Sequence, residues 1–499
     1  VEVSLLLEMA AGSFPGRAAL ASTTGAISYE EAFARARATG AWLEGQPGDK
    51  LVFVGLNGPT FPIALFAAGL AGRPFVPLNY RLADDDLRKL VARAAPAVVV
   101  VDADMRARVA DIAGVTVITR ETLEAIGRNP AHRAADPVPA DKDIAVLLFT
   151  SGTTGEPKAA VLRHANLTSY VISTVEFMGA DEGEAALISV PPYHIAGISA
   201  VLTGTYGGRR LVYLPAFTPE AWVDLASAER ITHAMVVPTM LRRILDVVEG
   251  RGITLPDLRA LSYGGGRMPQ AVIERALKLL PQVDFVNAYG LTETSSTIAM
   301  LGPDDHRVAF GSDDPLVRRR LGSVGRPLPT LEIEIRDEDG LPCAPDVCGE
   351  VYVRGEQVSG EYLGRSALTA DGWFPTNDSG WLDDAGYLFV EGRLDDVIVR
   401  GGENISPGEI EDVLRAHPAV RDVAVLGLPD DQWGERIAAV LVVGDDAPTT
   451  AELTDWVKAR LRSTKTPETW SFRVELPYND TGKLLRRVLK AELSAPLPA

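Results

Sequence analysis

The ten residues 149–158, FTSGTTGEPK, interleave two glycines with four hydroxyls and end on a lysine. Gly152 and Gly155 admit backbone turns that other residues resist, so consecutive N–H groups can converge on an anion. The hydroxyls of Thr150, Ser151, Thr153 and Thr154 add donors, and Lys158 adds charge. The chemistry this suits is phosphate binding. A polar, glycine-bearing surface turn has the same composition, so the segment alone leaves the question open. Its spacing is not GxxxxGK[ST], which disfavours an ordinary P-loop NTPase.

A second cluster, NAYGLTET (287–294), follows the strand-like VDFV. Tyr289 can stack on a purine, Gly290 lets backbone approach, Thr292 can donate to a phosphate oxygen and Glu293 can hold Mg2+. Singly, Tyr289 reads more readily as core and Glu293 as a solvated charge; it is their combination with the first loop that points to a site. In SYGGG (262–266), Gly264, Gly265 and Gly266 strip side chains from a strand end, where a flat ligand or a flexible turn would both fit. PPYHIAG (191–197) puts His194 between a rigid turn and a helix start, a place for a pocket wall or for simple packing. Asp378 in FPTNDSGW and Arg393 in GRLDD can bind neighbouring ribose hydroxyls. Lys483 in PYNDTGK precedes a helical run and suits a movable loop.

The elements that must position these residues follow from pattern and length. The chain has 499 residues, more than one hydrophobic core organises, so at least two domains are expected. From about Ile27 to Gly290, β-rich runs (LVFVG, AVVVVD, THAMVV) alternate with helical stretches (PTFPIALFAAGLA, DMRARVADIA, PTMLRRILDVVE), which predicts mostly parallel, helix-covered sheets. IAVLLF reads as a buried strand and 163–178 as a helix, which puts the hydroxyl-rich loop at a strand's carboxyl end, where open α/β sheets bind ligands. After Leu321, LEIEIRD and GEVYVRG separated by turns predict a small β-rich subdomain. The sharpest boundary lies at GRLDDVIVRGGENISP (392–407), beyond which about a hundred residues suffice for a small α+β domain.

Composition narrows the partners. Lys plus Arg total 49 against 67 Asp plus Glu, a net charge of −18, which argues against nucleic acid or an anionic membrane as the main partner. Cys343 and Cys348 form no disulfide framework and lack a second Cys/His cluster, so structural zinc is not expected. The apolar stretch 61–72 is too short to span a bilayer, and the first residues lack a signal-peptide pattern. A cytoplasmic protein is expected.

Read in order, FTSGTTGEPK, PPYHIAG, NAYGLTET, TND, GRLDDVIVRGGENISP and PYNDTGK cover nearly the whole chain, and the sequence resembles the acyl-adenylate-forming superfamily, particularly acyl-CoA synthetases. The resemblance implies an α/β fold with a large N-terminal domain (1–392) for ATP and acid, a hinge (393–396), and a small mobile C-terminal domain (397–499) that swings over it. Thr150 to Gly155 and Lys158 would surround the β- and γ-phosphates. Gly264 to Gly266, Ala288 and Tyr289 would contact adenine, with Thr292 at the α-phosphate, Glu293 at magnesium, and Asp378 and Arg393 at the ribose. His194 would border the acyl pocket, and Lys483 would bridge carboxylate and α-phosphate.

By the same resemblance, Asp395 matches the hinge position, and Gly401, Gly402 and Glu403 match the loop that faces the site in the second step. The implied reaction joins a carboxylic acid to coenzyme A at the expense of ATP. Two alternatives are an adenylating enzyme that loads a carrier-protein thiol and a binding module without turnover. Dimers are frequent among similar enzymes. Asn377 stands where many relatives have glycine, and Ala159 where glycine often follows the lysine. Residues 194–199, 237–239, Tyr263 and those near Ala288 are expected to line the acid pocket. They include no basic partner for a second carboxylate, which favours a medium-sized monocarboxylate.

Overall fold

Ala97–Val101 (AVVVV) shows how the sequence builds its large sheets. β-Branched side chains fit a pleated surface, and all five residues are buried, as in a parallel strand covered by helices on both faces. The computed structural model describes residues 1–22, 25–129, 143–150, 157–401, 403–430, 432–444, 447–479 and 484–494. Among them, Val115–Thr119, Ala97–Val101, Lys50–Val54, Phe75–Pro77 and Ile144–Thr150 lie parallel in one sheet. In a second, Ala18–Ser22, Arg210–Tyr213, Ala185–Ile188, His233–Val236, Ala260–Gly264 and Asp284–Leu291 do the same.

The two sheets share a helical layer. Phe53 and Val98 of the first sheet and Leu20 and Leu211 of the second join one core through helices Val3–Ser13, Thr60–Leu70 and Ile195–Gly207. Thr60–Leu70 is buried all round, which explains why its sequence carries no polar stripe. The β-rich pattern after Leu321 becomes an antiparallel sheet of Glu332–Arg336, Gly349–Arg354, Phe374–Leu382 and Leu388–Arg393. The last hundred residues form their own sheet, in which Val420–Asp430 and Gly434–Val443 pair antiparallel and Thr469–Arg473 adds in parallel. It packs on helices Pro407–Arg415 and Thr450–Lys458 through Ile410, Leu414, Val425 and Leu453.

Two local readings need correction. The hydroxyl-rich loop was expected at the carboxyl end of the strand IAVLLF, with a helix over 163–178. Instead Lys158–Arg163 is a further strand, antiparallel to Ile144–Thr150, and the helix is the shorter His164–Thr174. KAAVLR is apolar at its centre and sits beside a strand with open hydrogen-bonding groups, so it pairs as a strand before the helix begins. DMRARVADIA forms only the turn Ala103–Met105 and the single helical turn Arg106–Val109. No helix among the described residues is long and apolar enough to cross a membrane.

Candidate active site

A cavity of about 930 Å³ lies where the second large sheet, the antiparallel sheet and the C-terminal unit meet. Its wall includes Gly265 and Gly266 from the end of Ala260–Gly264 and Ala288, Tyr289 and Gly290 from Asp284–Leu291. Gly264, one residue deeper, packs on the neighbouring strand: a Cβ there would meet the Ala288 carbonyl oxygen at 2.2 Å. Gly290 has a stricter reason. A Cβ would come within 1.7 Å of the Ser296 carbonyl oxygen, so only glycine lets the chain fold back into Ser296–Leu301.

Asp378 and Arg393 face each other across an antiparallel pair and line the same cavity. The Tyr289 hydroxyl donates to Asp378 Oδ2 at 2.5 Å, and Arg393 Nε lies 3.0 Å from Oδ1. Burial and the Asp378 charge push the Tyr289 phenol well above its ordinary pKa, so it stays a donor. Arg393 also donates to the Thr376 carbonyl at 2.8 Å, which fixes its guanidinium beside the carboxylate. Three residues distant in sequence thus form one oriented polar wall, suited to vicinal hydroxyls.

Thr292 and Glu293 sit in the turn Thr292–Thr294, stapled by Ser359 and Gly360 N–H groups donating to the Glu293 carbonyl. The Glu293 carboxylate accepts the Tyr362 hydroxyl at 2.7 Å, and Lys158 Nζ lies 5.8 Å from the Tyr362 ring centroid. Tyr362 therefore joins the lysine ending the hydroxyl-rich segment to the acidic turn. The sequence reading missed it. Its only local signal, EYLG, is a short aromatic-glycine pair, common at any turn. Thr150 pairs in register with Lys158, and residues 151–156 (Ser151, Gly152, Thr153, Thr154 and Gly155 among them) lie outside the described residues.

The C-terminal unit closes the cavity with Tyr478, Asn479, Leu484 and Arg486. These flank 480–483, so Lys483 also lies outside the described residues. Gly401 and Glu403 do not reach the cavity wall. Gly401, with φ +59°, packs on the Trp433 ring and donates to its carbonyl at 2.8 Å, and Gly402 is outside the described residues. Asp395 lies in the turn Leu394–Asp396 that links the antiparallel sheet to the C-terminal unit.

The acid-pocket reading changes. Tyr263 is fully buried in the opposite core, its hydroxyl 2.8 Å from His306 Nε2, because alternate residues of a strand point to opposite faces. Burial also raises its pKa. His194 caps helix Ile195–Gly207, its Nδ1 accepting from the Ala196 N–H at 3.2 Å, and Pro191 and Pro192 rather than His194 reach the wall. Val237, Pro238 and Thr239 line the cavity as expected, but so do Arg81, Arg242, Arg243 and Arg267. Helix Pro238–Arg251 carries Thr239, Arg242 and Arg243 on one face, a consequence of three- and four-residue spacing. The argument for a monocarboxylate from lack of a basic partner therefore fails.

The family model for AMP-binding enzymes matches residues 7–363, and that for the AMP-binding enzyme C-terminal domain matches 409–483. The chain belongs to the AMP-binding enzyme family. Within this family it is 34% identical over 454 residues to a feruloyl-CoA synthase of Amycolatopsis sp, covering 88% of each chain. It is 32% identical to fatty acid–[acyl-carrier-protein] ligase ScoC of Streptomyces coeruleorubidus, over 89% of this chain and 86% of the relative. Among solved structures it resembles o-succinylbenzoate CoA synthetase (MenE) of Bacillus subtilis, at 30% identity and TM-score 0.83. That protein has been solved with ATP and a magnesium ion, covering 97% of this chain and 99% of that one, and with the acyl-adenylate intermediate OSB-AMP, covering 97% of each.

Proposed function

We propose that this AMP-binding enzyme is an acid:CoA ligase acting in two steps through an acyl-adenylate. The observation that carries the reading is the convergence of Tyr289, Asp378, Arg393 and Gly265–Gly266 with the flanks of 480–483 around one cavity. In the first step a carboxylate oxygen attacks the α-phosphorus of ATP and pyrophosphate leaves. Two anions must meet, so cationic and dipolar stabilisation is required. Lys483 would supply charge, Thr292 a donor, and the segment from Thr150 to Lys158 the pyrophosphate cradle. Asp378 and Arg393 hold the ribose, and Tyr289 and the glycines hold the adenine.

Glu293 suits Mg2+, a cation that takes oxygen ligands: its carboxylate is buried beside the Tyr362 hydroxyl. Magnesium would neutralise phosphate charge there. In the second step the CoA thiol attacks the acyl carbonyl and AMP leaves. Rotation of the C-terminal unit (397–499) on the large N-terminal unit (1–392) about Asp395, in the 393–396 hinge, would exchange Lys483 for the loop of Gly401, Gly402 and Glu403. The position of Gly401 on Trp433, away from the cavity, suits the adenylating orientation. A cytoplasmic setting suits an enzyme that consumes ATP and CoA.

A second reading, transfer to a carrier-protein thiol, is favoured by the likeness to the ScoC ligase. The test is acid-dependent exchange of labelled pyrophosphate into ATP, followed by AMP release with CoA or a carrier protein as acceptor. Lys483→Ala should abolish exchange while partly sparing thioester formation from supplied acyl-adenylate. Equal loss of both half-reactions would overturn this division of labour.

A further inference from the structure

We infer that Tyr362 is a positioning residue that makes the site choose Mg2+ over Ca2+, by occupying one oxygen of the Glu293 carboxylate and leaving the other for the metal. The inference rests on the reading of Glu293 as the magnesium ligand. Tyr362 lies in the short strand Glu361–Tyr362, whose place is fixed from two sides. On one side it pairs in register with Ala160 of Lys158–Arg163, and the Leu363 N–H donates to the Ala159 carbonyl at 2.9 Å. Arg163 grips the Glu361 carboxylate with both Nε and Nη2, at 2.9 and 3.0 Å. On the other, the Ser359 and Gly360 N–H groups donate to the Glu293 carbonyl at 2.9 and 3.0 Å.

Residues 357–363 are thus sewn both to the strand after the hydroxyl-rich segment and to the turn Thr292–Thr294. Gln357, buried, strengthens the second seam: its Nε2 donates to the Thr294 and Thr297 carbonyls at 3.0 and 2.8 Å. Backbone pairing therefore sets where the Tyr362 side chain starts, and the cations of Lys158 and Arg365 steady its ring at 5.8 and 5.3 Å from the centroid. The hydroxyl donates to Glu293 Oε1 at 2.7 Å, the one hydrogen bond that this carboxylate makes among the described residues.

A carboxylate can meet a cation through one oxygen or through both. Ca2+ is large, tolerates irregular shells and accepts either mode, whereas Mg2+ is small, demands a near-octahedral shell and keeps several waters. Two oxygens of one carboxylate subtend far less than an octahedral right angle, so the one-oxygen mode suits Mg2+. With Oε1 occupied by Tyr362, Glu293 offers Oε2 alone. Groups hydrogen-bonded to a metal's ligand orient it and tune its affinity, and their loss typically costs roughly 10–100-fold.

The experiment measures binding of Mg·ATP, Ca·ATP and metal-free ATP by calorimetry, without acid or CoA, on the wild type, Tyr362→Phe and Glu293→Gln. Tyr362→Phe keeps the ring beside Lys158 and removes only the hydroxyl. It should weaken Mg·ATP by about tenfold, weaken Ca·ATP less and leave metal-free ATP unchanged. An equal loss for all three forms, as a merely structural role would give, or an unaltered preference for magnesium overturns the inference. Glu293→Gln should lose the gain in affinity that the metal brings. If it does so while Tyr362→Phe keeps the magnesium preference, the positioning role alone falls; if Glu293→Gln keeps the gain, the reading of Glu293 falls and the inference with it. If Tyr362→Phe does not fold, the wild type decides: equal affinity for Mg·ATP and Ca·ATP overturns the inference, and a magnesium preference that Glu293→Gln abolishes supports it.

Discussion

Arg267 and Asp412 join the large unit to the C-terminal unit in the orientation observed, with Nη2 and Oδ2 2.6 Å apart. Gly408 makes room for the contact, since a Cβ there would stand 2.2 Å from Arg267 Nη1. If the C-terminal unit rotates between half-reactions, this pair exists in only one of the two states, and breaking it should shift the partition between them. Its size follows from its setting. The two side chains are 42% and 43% exposed, which puts the pair at the surface-bridge scale of about 0.2–1 kcal/mol. Arg267→Gln should therefore favour the second orientation by up to about fivefold, and Arg267→Glu, which replaces attraction by repulsion, by up to about thirtyfold.

The assay is the ratio of pyrophosphate exchange to thioester formation from supplied acyl-adenylate, at low and high salt. Arg267→Glu should lower the ratio, Asp412→Arg should act likewise, and the double charge swap should restore it, with every effect shrinking in high salt. Burial raises the Asp412 carboxyl above its usual pKa, with Arg267 opposing. The effects of the Arg267 variants should therefore fade as falling pH protonates the carboxyl, whereas the repulsion introduced by Asp412→Arg should persist. Singles that lower both half-reactions equally, or a double variant no better than either single, would refute the reasoning.

Burial, with Arg209 nearby, pushes His233 down to about 4 against an ordinary value near 6.5. Because the fold holds the imidazole neutral while the unfolded chain takes up a proton, stability should fall as pH drops from about 6.5 to 4, by about 3 kcal/mol at most. His233→Asn should flatten that slope in urea unfolding, and an unchanged slope would assign the acid sensitivity elsewhere. Asn377 has φ +61° and donates to the hinge residue Asp395 at 3.0 Å. Asn377→Gly keeps the backbone and should leave the apparent KM for ATP within about twofold, whereas Asn377→Val should cost about 1–2 kcal/mol of stability from its left-handed backbone alone. A large KM change in the glycine variant would show that the side chain itself supports nucleotide binding.

The asparagine at 377 also shows what a sequence can signal and where it stops. Its departure from glycine was visible, and the positive φ explains why asparagine is a tolerated substitute. Its contact with Asp395, 18 residues on, was not visible. Gly290 behaves similarly: a glycine between tyrosine and leucine suggested close backbone approach, but the strand it must admit is the chain's own return at Ser296 rather than a ligand.

Taken alone, the order of residues determined the alternation of strands and helices, the change to antiparallel pairing after Leu321 and the separate C-terminal sheet, because side-chain periodicity and glycine placement act over a few residues. It also marked Tyr289, Glu293, Asp378 and Arg393 as chemically able. Only the tertiary structure decided that Tyr362 bridges Lys158 and Glu293, that Asn57 is tied to Val190, 133 residues away, and that arginines of helix Pro238–Arg251 face the cavity. Hydrogen bonds and charge neighbours form between whichever surfaces packing brings together. No local pattern records which distant segment will fill the space opposite.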